Sequence, residues 1–145
     1  MNRPPAARFL IGLGFFAAAA VALYWLAWFA APVLVQSRAP GAADYGLYVA
    51  FEQAFPLGDG WLAVTSLLGA VGLIRRRPWG FLFLLLAGSA AVFLGLMDLL
   101  YDLEHGLFVP LTPAAGLELA IVALLLALGP TVIVITWTRR RALGG

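Results

Sequence analysis

The chain contains no cysteine. Disulfides, thiolate nucleophiles, cysteine-ligated zinc and iron–sulfur clusters are therefore excluded, and quinone-linked disulfide chemistry goes with them. Lysine is absent too, since all nine basic side chains are arginine. That removes a Schiff-base chromophore and a Walker-type phosphate clamp. The single histidine, His105, cannot give a haem two imidazole ligands from one chain. No cofactor is expected.

Charge of either sign is scarce. Only 11% of the 145 residues are charged and 63% are hydrophobic, against about 25% and 45–50% in an ordinary soluble domain. A globule of this length exposes much of its surface, and nine basic and seven acidic residues cannot keep that surface wet. The mean hydropathy of +0.98 belongs to a chain whose outside faces lipid. All-arginine basicity with abundant alanine, glycine and proline fits the codon bias of a GC-rich genome, so a bacterial plasma membrane is the expected location.

Four stretches qualify as spans, at about 9–35, 56–74, 79–101 and 113–138. The first carries 27 residues without a charge, more than the roughly 20 needed to cross the hydrocarbon layer, and it can tilt or end near Pro32. A secretory signal has an apolar stretch of only about 7–15 residues, so this segment reads as an uncleaved anchor. The uncharged part of the second span, Gly60 to Ile74, has only 15 residues. That helix must start near Phe55 or Pro56, which places Asp59 inside the apolar layer. The fourth opens on Thr112–Pro113, a hydroxyl cap before proline at the first helical position. Gly129 and Pro130 predict a kink within it, with Thr131 available to satisfy freed backbone groups.

These features predict an all-α integral membrane four-helix bundle forming one domain over residues 1–145. The arginines choose its direction. Arg3, Arg8, Arg75, Arg76, Arg77, Arg139, Arg140 and Arg141 fall on one side, and only Arg38 lies opposite, so both termini are expected to be cytoplasmic. The same arginines would hold anionic lipid headgroups, each worth about 1 kcal/mol at the surface. Nucleic acid binding is not inferred from them. In the long outer loop, Tyr48, Phe51, Glu52 and Phe55 have the spacing of a short interfacial helix. Most tryptophans and tyrosines lie near predicted boundaries and read as an anchoring belt.

All seven acids, Asp44, Glu52, Asp59, Asp98, Asp102, Glu104 and Glu118, fall on or toward the side opposite the arginine clusters. Measured from those clusters, Asp59 and Asp98 sit about 24 and 31 Å along neighbouring antiparallel helices, so they can approach each other. Both lie on stripes of small residues. Gly88, Ala91, Gly95 and Asp98 form one stripe, and Asp59, Ala63, Ser66 and Ala70 form the other, each a face that lets a second helix come close. Glu118 lies nearly opposite its own helix's small stripe, Gly116, Ala120, Ala123 and Ala127, and is expected to snorkel at the surface. Asp98, Tyr101, Asp102 and His105 share a side of the third span if it continues to Gly106, a natural terminator.

Two readings of these acids compete. In the plainer one, Asp59 and Asp98 are helix-end residues that reach water. In the sharper one, Glu52, Asp59, Asp98, Tyr101 and Asp102 form an outward-facing acidic pocket, because ionisable groups within a membrane are costly and usually mark function. A close carboxyl pair would titrate as a coupled unit. Asp98, Asp102 and His105 are weak candidates for a metal site, with donors acceptable to manganese, iron or zinc but no diagnostic spacing.

Three functions follow: a pocket for a cation or small amphipathic ligand, a structural or assembly subunit of a membrane complex, or an outer-leaflet lipid-modifying enzyme with Asp59 and Asp98 as acid and base. A transport role would call for a homo-oligomer, or some other membrane-protein partner. No span carries a charge at midplane, which counts against a channel or pump.

Overall fold

The computed structural model describes residues 4–143, so Arg3 lies outside the described residues. Four helices are long and apolar enough to cross a membrane. Helix α1 covers Pro5–Ala30, α2 Tyr45–Glu52, α3 Pro56–Ile74, α4 Trp79–Glu104, α5 Pro113–Thr138 and α6 Arg140–Leu143. No strand is formed among the described residues.

Proline and glycine set the boundaries. Pro5, Pro56 and Pro113 each occupy the first helical position, where a missing N–H costs nothing. Thr112 caps α5 as expected, its hydroxyl accepting the Ala115 N–H at 3.1 Å. The first span is shifted from 9–35 to 5–30. Pro32 disfavours helical backbone before it, and a short 3-10 turn, Pro32–Leu34, follows instead. The third span reaches three residues beyond 101. Gly106 ends it with φ at +61°, and the Leu107 N–H donates back to the Asp102 carbonyl at 3.0 Å, closing a Schellman turn. Leu107 is buried beneath that turn. The α3–α4 connection turns the same way. Arg76 holds the left-handed position at φ +52°, and the Arg77 N–H donates to the Gly72 carbonyl at 2.9 Å. Pro130 does not interrupt α5, and the Thr131 hydroxyl donates to the Ala127 carbonyl at 2.7 Å.

The long helices pack in series, α1 on α3, α3 on α4 and α4 on α5. Glycines permit the close contacts. A Cβ on Gly72 would collide with the Gly80 Cα where α3 meets α4, and one on Gly88 would stand 2.9 Å from the Gly129 carbonyl oxygen where α4 meets α5. A Cβ on Gly14 of α1 would stand 2.7 Å from the Ser66 carbonyl oxygen of α3. Helices α1 and α5 form the two flanks, and far less of their length is buried than of α3 and α4.

At the arginine end the flanks are tied by a cluster of Leu10, Leu73, Leu84, Val132 and Leu143. At the opposite end Trp28, Val35, Tyr48, Tyr101 and Leu107 form a second cluster. The short helix α2 exists, but its Tyr48 and Glu52 are buried in the bundle end. Arg38 fastens the preceding loop, pairing with Asp44 at 2.8 Å and donating to the His105 carbonyl at 2.7 Å, where the end of α4 needs a donor. This ion pair holds the Asp44 carboxyl below the usual aspartate range.

Candidate functional site

Between the flanks lies a cavity of about 180 Å³. Leu62 and Ser66 of α3 and Leu84, Ala87 and Ala91 of α4 form its floor. One wall is α1, through Leu13, Phe16, Ala20 and Val21, and the other is α5, through Ile121, Leu124, Leu125 and Leu128. Its carboxyl groups gather near one end. Glu52 of α2, Asp59 of α3, Asp98 of α4 and Glu118 of α5 all line it there, so four helices each contribute one carboxyl. The arginine end is closed by Leu10 and Val132.

Helix α1 supplies no acid but two donors. The Tyr24 hydroxyl lies 3.4 Å from the Glu52 carboxylate, and the Trp25 indole N–H donates to Asp59 at 2.9 Å. Asp59 also sits in the first turn of α3, where the helix dipole favours a negative charge. Glu118 is only 4% exposed, and its Oε2 has no hydrogen-bond partner. Glu52, Asp98, Asp102 and Glu118 lie within electrostatic range of one another. Ionised carboxylates so arranged repel, and desolvation in an apolar surround multiplies the cost. Protons, or a positively charged guest, would offset it.

Of the five residues expected to form the pocket, Glu52, Asp59 and Asp98 line the cavity. Tyr101 and Asp102 do not. The Tyr101 ring is stacked on Phe51 at 3.7 Å and on His105 at 4.0 Å, and Asp102 is buried behind the cavity wall with its Oδ2 unpartnered. The metal candidate Asp98, Asp102 and His105 is not assembled. The His105 Nδ1 contacts the Tyr101 carbonyl at 2.9 Å, and among the described residues no three histidine or acidic side chains are grouped to hold a metal ion.

Glu118 corrects the expectation of a snorkelling side chain. Ala120, Ala123 and Ala127 face outward, and the buried face of α5 carries Ala115, Glu118, Val122, Gly129, Val132 and Thr136. Gly129 decides the rotation, since its close approach to Gly88 fixes which side meets α4, and Glu118 lies three turns away on that side. The spacings of three, four and seven through this set were present in the sequence. The aromatic belt also needs correction. Trp61 and Trp137 are exposed, as an anchor would be, but Trp28, Tyr48 and Tyr101 are buried, and Tyr24 and Trp25 bond the acids.

No family model, curated protein or solved structure matches this chain.

Proposed function

We propose that this small multi-pass membrane protein binds a cation or a small amphipathic ligand at the acidic end of its internal cavity. One observation carries the reading: four carboxyls from four helices meet at one end of an otherwise apolar chamber, and one of them, Glu118, is buried with an unpartnered oxygen. Such a group is expensive to maintain in a core that apolar side chains would fill more stably. A cationic guest supplies the missing partner. The arginine distribution favours both termini in the cytoplasm, and the acidic end of the cavity then lies on the side of the outer leaflet. Anionic headgroups would gather at Arg75–Arg77 and Arg139–Arg141 on the other side.

The test is thermal unfolding of the protein in phosphatidylcholine nanodiscs with three probes of equal chain length: dodecyltrimethylammonium, dodecylphosphocholine and dodecyl sulfate. The cationic probe should raise the unfolding temperature most, and Asp98→Asn should diminish that rise. Equal responses to all three charges, or a response untouched by Asp98→Asn, would reject the proposal.

A further inference from the structure

Cavity, acids and flanks together define how a guest would arrive. The helices pack in the order α1, α3, α4 and α5, and α1 and α5, at the ends of that series, are not paired with each other as the others are. Beyond the Leu10–Val132 cluster that ties them at the arginine end, they therefore bound a gap. Two cavity-lining residues, one on each flank, also reach the outside: Phe16 is 56% exposed and Leu124 47% exposed. Ala20, one turn from Phe16, is exposed as well and also lines the cavity. All three lie near the middle of helices that are long enough to span the hydrocarbon, so the opening is at the depth of acyl chains and not of water.

We infer that the guest is a single-chain amphiphile with a positively charged head, and that it enters sideways from the bilayer through the gap between α1 and α5. This inference rests on the reading of the cavity as a binding site and adds the ligand class and the route. The head would meet Glu118, which lines the chamber and has a buried, unpartnered oxygen, with Asp98, Asp59 and Glu52 lining the same end. The tail would run toward Val132. From Glu118 to Val132 is 14 residues of α5, about 21 Å at the helical rise, the length of an extended alkyl chain. A tail moving from lipid to this apolar slot gains little by the exchange, because both surroundings are apolar. Charge at the head therefore carries selectivity, and the tail determines the path.

The absence of native cysteine makes the route testable. An Ala20→Cys, Leu124→Cys protein in nanodiscs is joined across the gap with a bismaleimide, and binding of hexadecyltrimethylammonium is followed by tryptophan fluorescence. Both positions are exposed, so the unlinked double variant serves as its own folded control. Cross-linking should slow association by about tenfold or more, and Leu124→Ala, which widens the gap, should hasten it. Unchanged association in both cases overturns the lateral route while leaving the binding site standing. If the wild-type protein does not bind the probe at all, the binding-site reading itself fails and this inference falls with it.

Discussion

The indole nitrogen of Trp25 donates to the carboxylate of Asp59 across 34 residues of chain, at 2.9 Å. It joins α1 to the first turn of α3 at the acidic end of the cavity. Removing the donor leaves a half-buried carboxylate oxygen without a partner. Trp25→Phe should therefore destabilise the protein by about 1–3 kcal/mol, the cost of an unsatisfied buried polar group. Combined with Asp59→Asn in a double-mutant cycle, the coupling should be about 1 kcal/mol, within the range measured between membrane helices. Reversible unfolding in mild detergent gives both numbers. Additive losses would mean that the bond contributes nothing.

Glu118 separates stability from binding. Its Oε2 is buried without a partner, so Glu118→Met, which keeps the bulk and removes the charge, should stabilise the protein by roughly 1–3 kcal/mol. The same change should abolish the selective response to dodecyltrimethylammonium. A variant that is less stable than the parent would show that the nearby Ser37 hydroxyl satisfies the carboxylate.

Much of this arrangement could be read from residue order, and the failures are specific. The requirement for about twenty spanning residues put Asp59 inside α3, and the small-residue stripe ending at Asp98 is buried along its whole length. Both inferences used local periodicity within one helix. On α5 two periodic faces competed, one of alanines and one containing Glu118, Gly129 and Thr136. The mean composition of a face did not reveal that a single glycine contact would decide the rotation. Tyr24 and Trp25 were missed because aromatic residues near a span end fit a belt equally well. Their partners lie 28 and 34 residues away, beyond anything periodicity reports. His105 shared a helix side with two aspartates, but ring stacking on Tyr101 took it out of their reach as a ligand.

The α3–α4 hairpin depends on backbone proximity at Gly72 and Gly80. An added methyl on Gly72 would meet the Gly80 Cα and N, neither of which can rotate away. Gly72→Ala should cost about 1–3 kcal/mol or more through overpacking. Gly12 is the contrast, since nothing lies within 4 Å of a Cβ there and it sits inside α1. Gly12→Ala should be neutral or stabilising by up to about 1 kcal/mol, the gain in helix propensity. Unfolding midpoints of the two variants should move in opposite directions.

Asp44 gives the loop a pH dependence of known sign. Its carboxyl is held below its usual value, chiefly by the hydrogen bond from Arg38. A depressed folded-state pKa means the pair stabilises the loop above the unfolded-state value, about 3.9 for aspartate. That contribution fades as pH falls through the lower folded value. Acid titration of the wild type and Asp44→Asn should therefore show the largest stability difference near neutral pH and convergence once the pH falls below the depressed folded-state value. A difference that grows on acidification would contradict the ion pair.

Orientation has its own measurement, because single cysteines can be added to a chain that has none. Ala43 and Ala142 are exposed at opposite ends of the bundle, Ala43 in the loop before α2 and Ala142 beside the carboxyl-terminal arginines. With eight arginines against one, the arginine-rich end should face the cytoplasm. In intact cells a membrane-impermeant maleimide should label Ala43→Cys at once and Ala142→Cys only after permeabilisation. The reverse pattern would invert the topology, and the acidic chamber would then draw its guest from the inner leaflet.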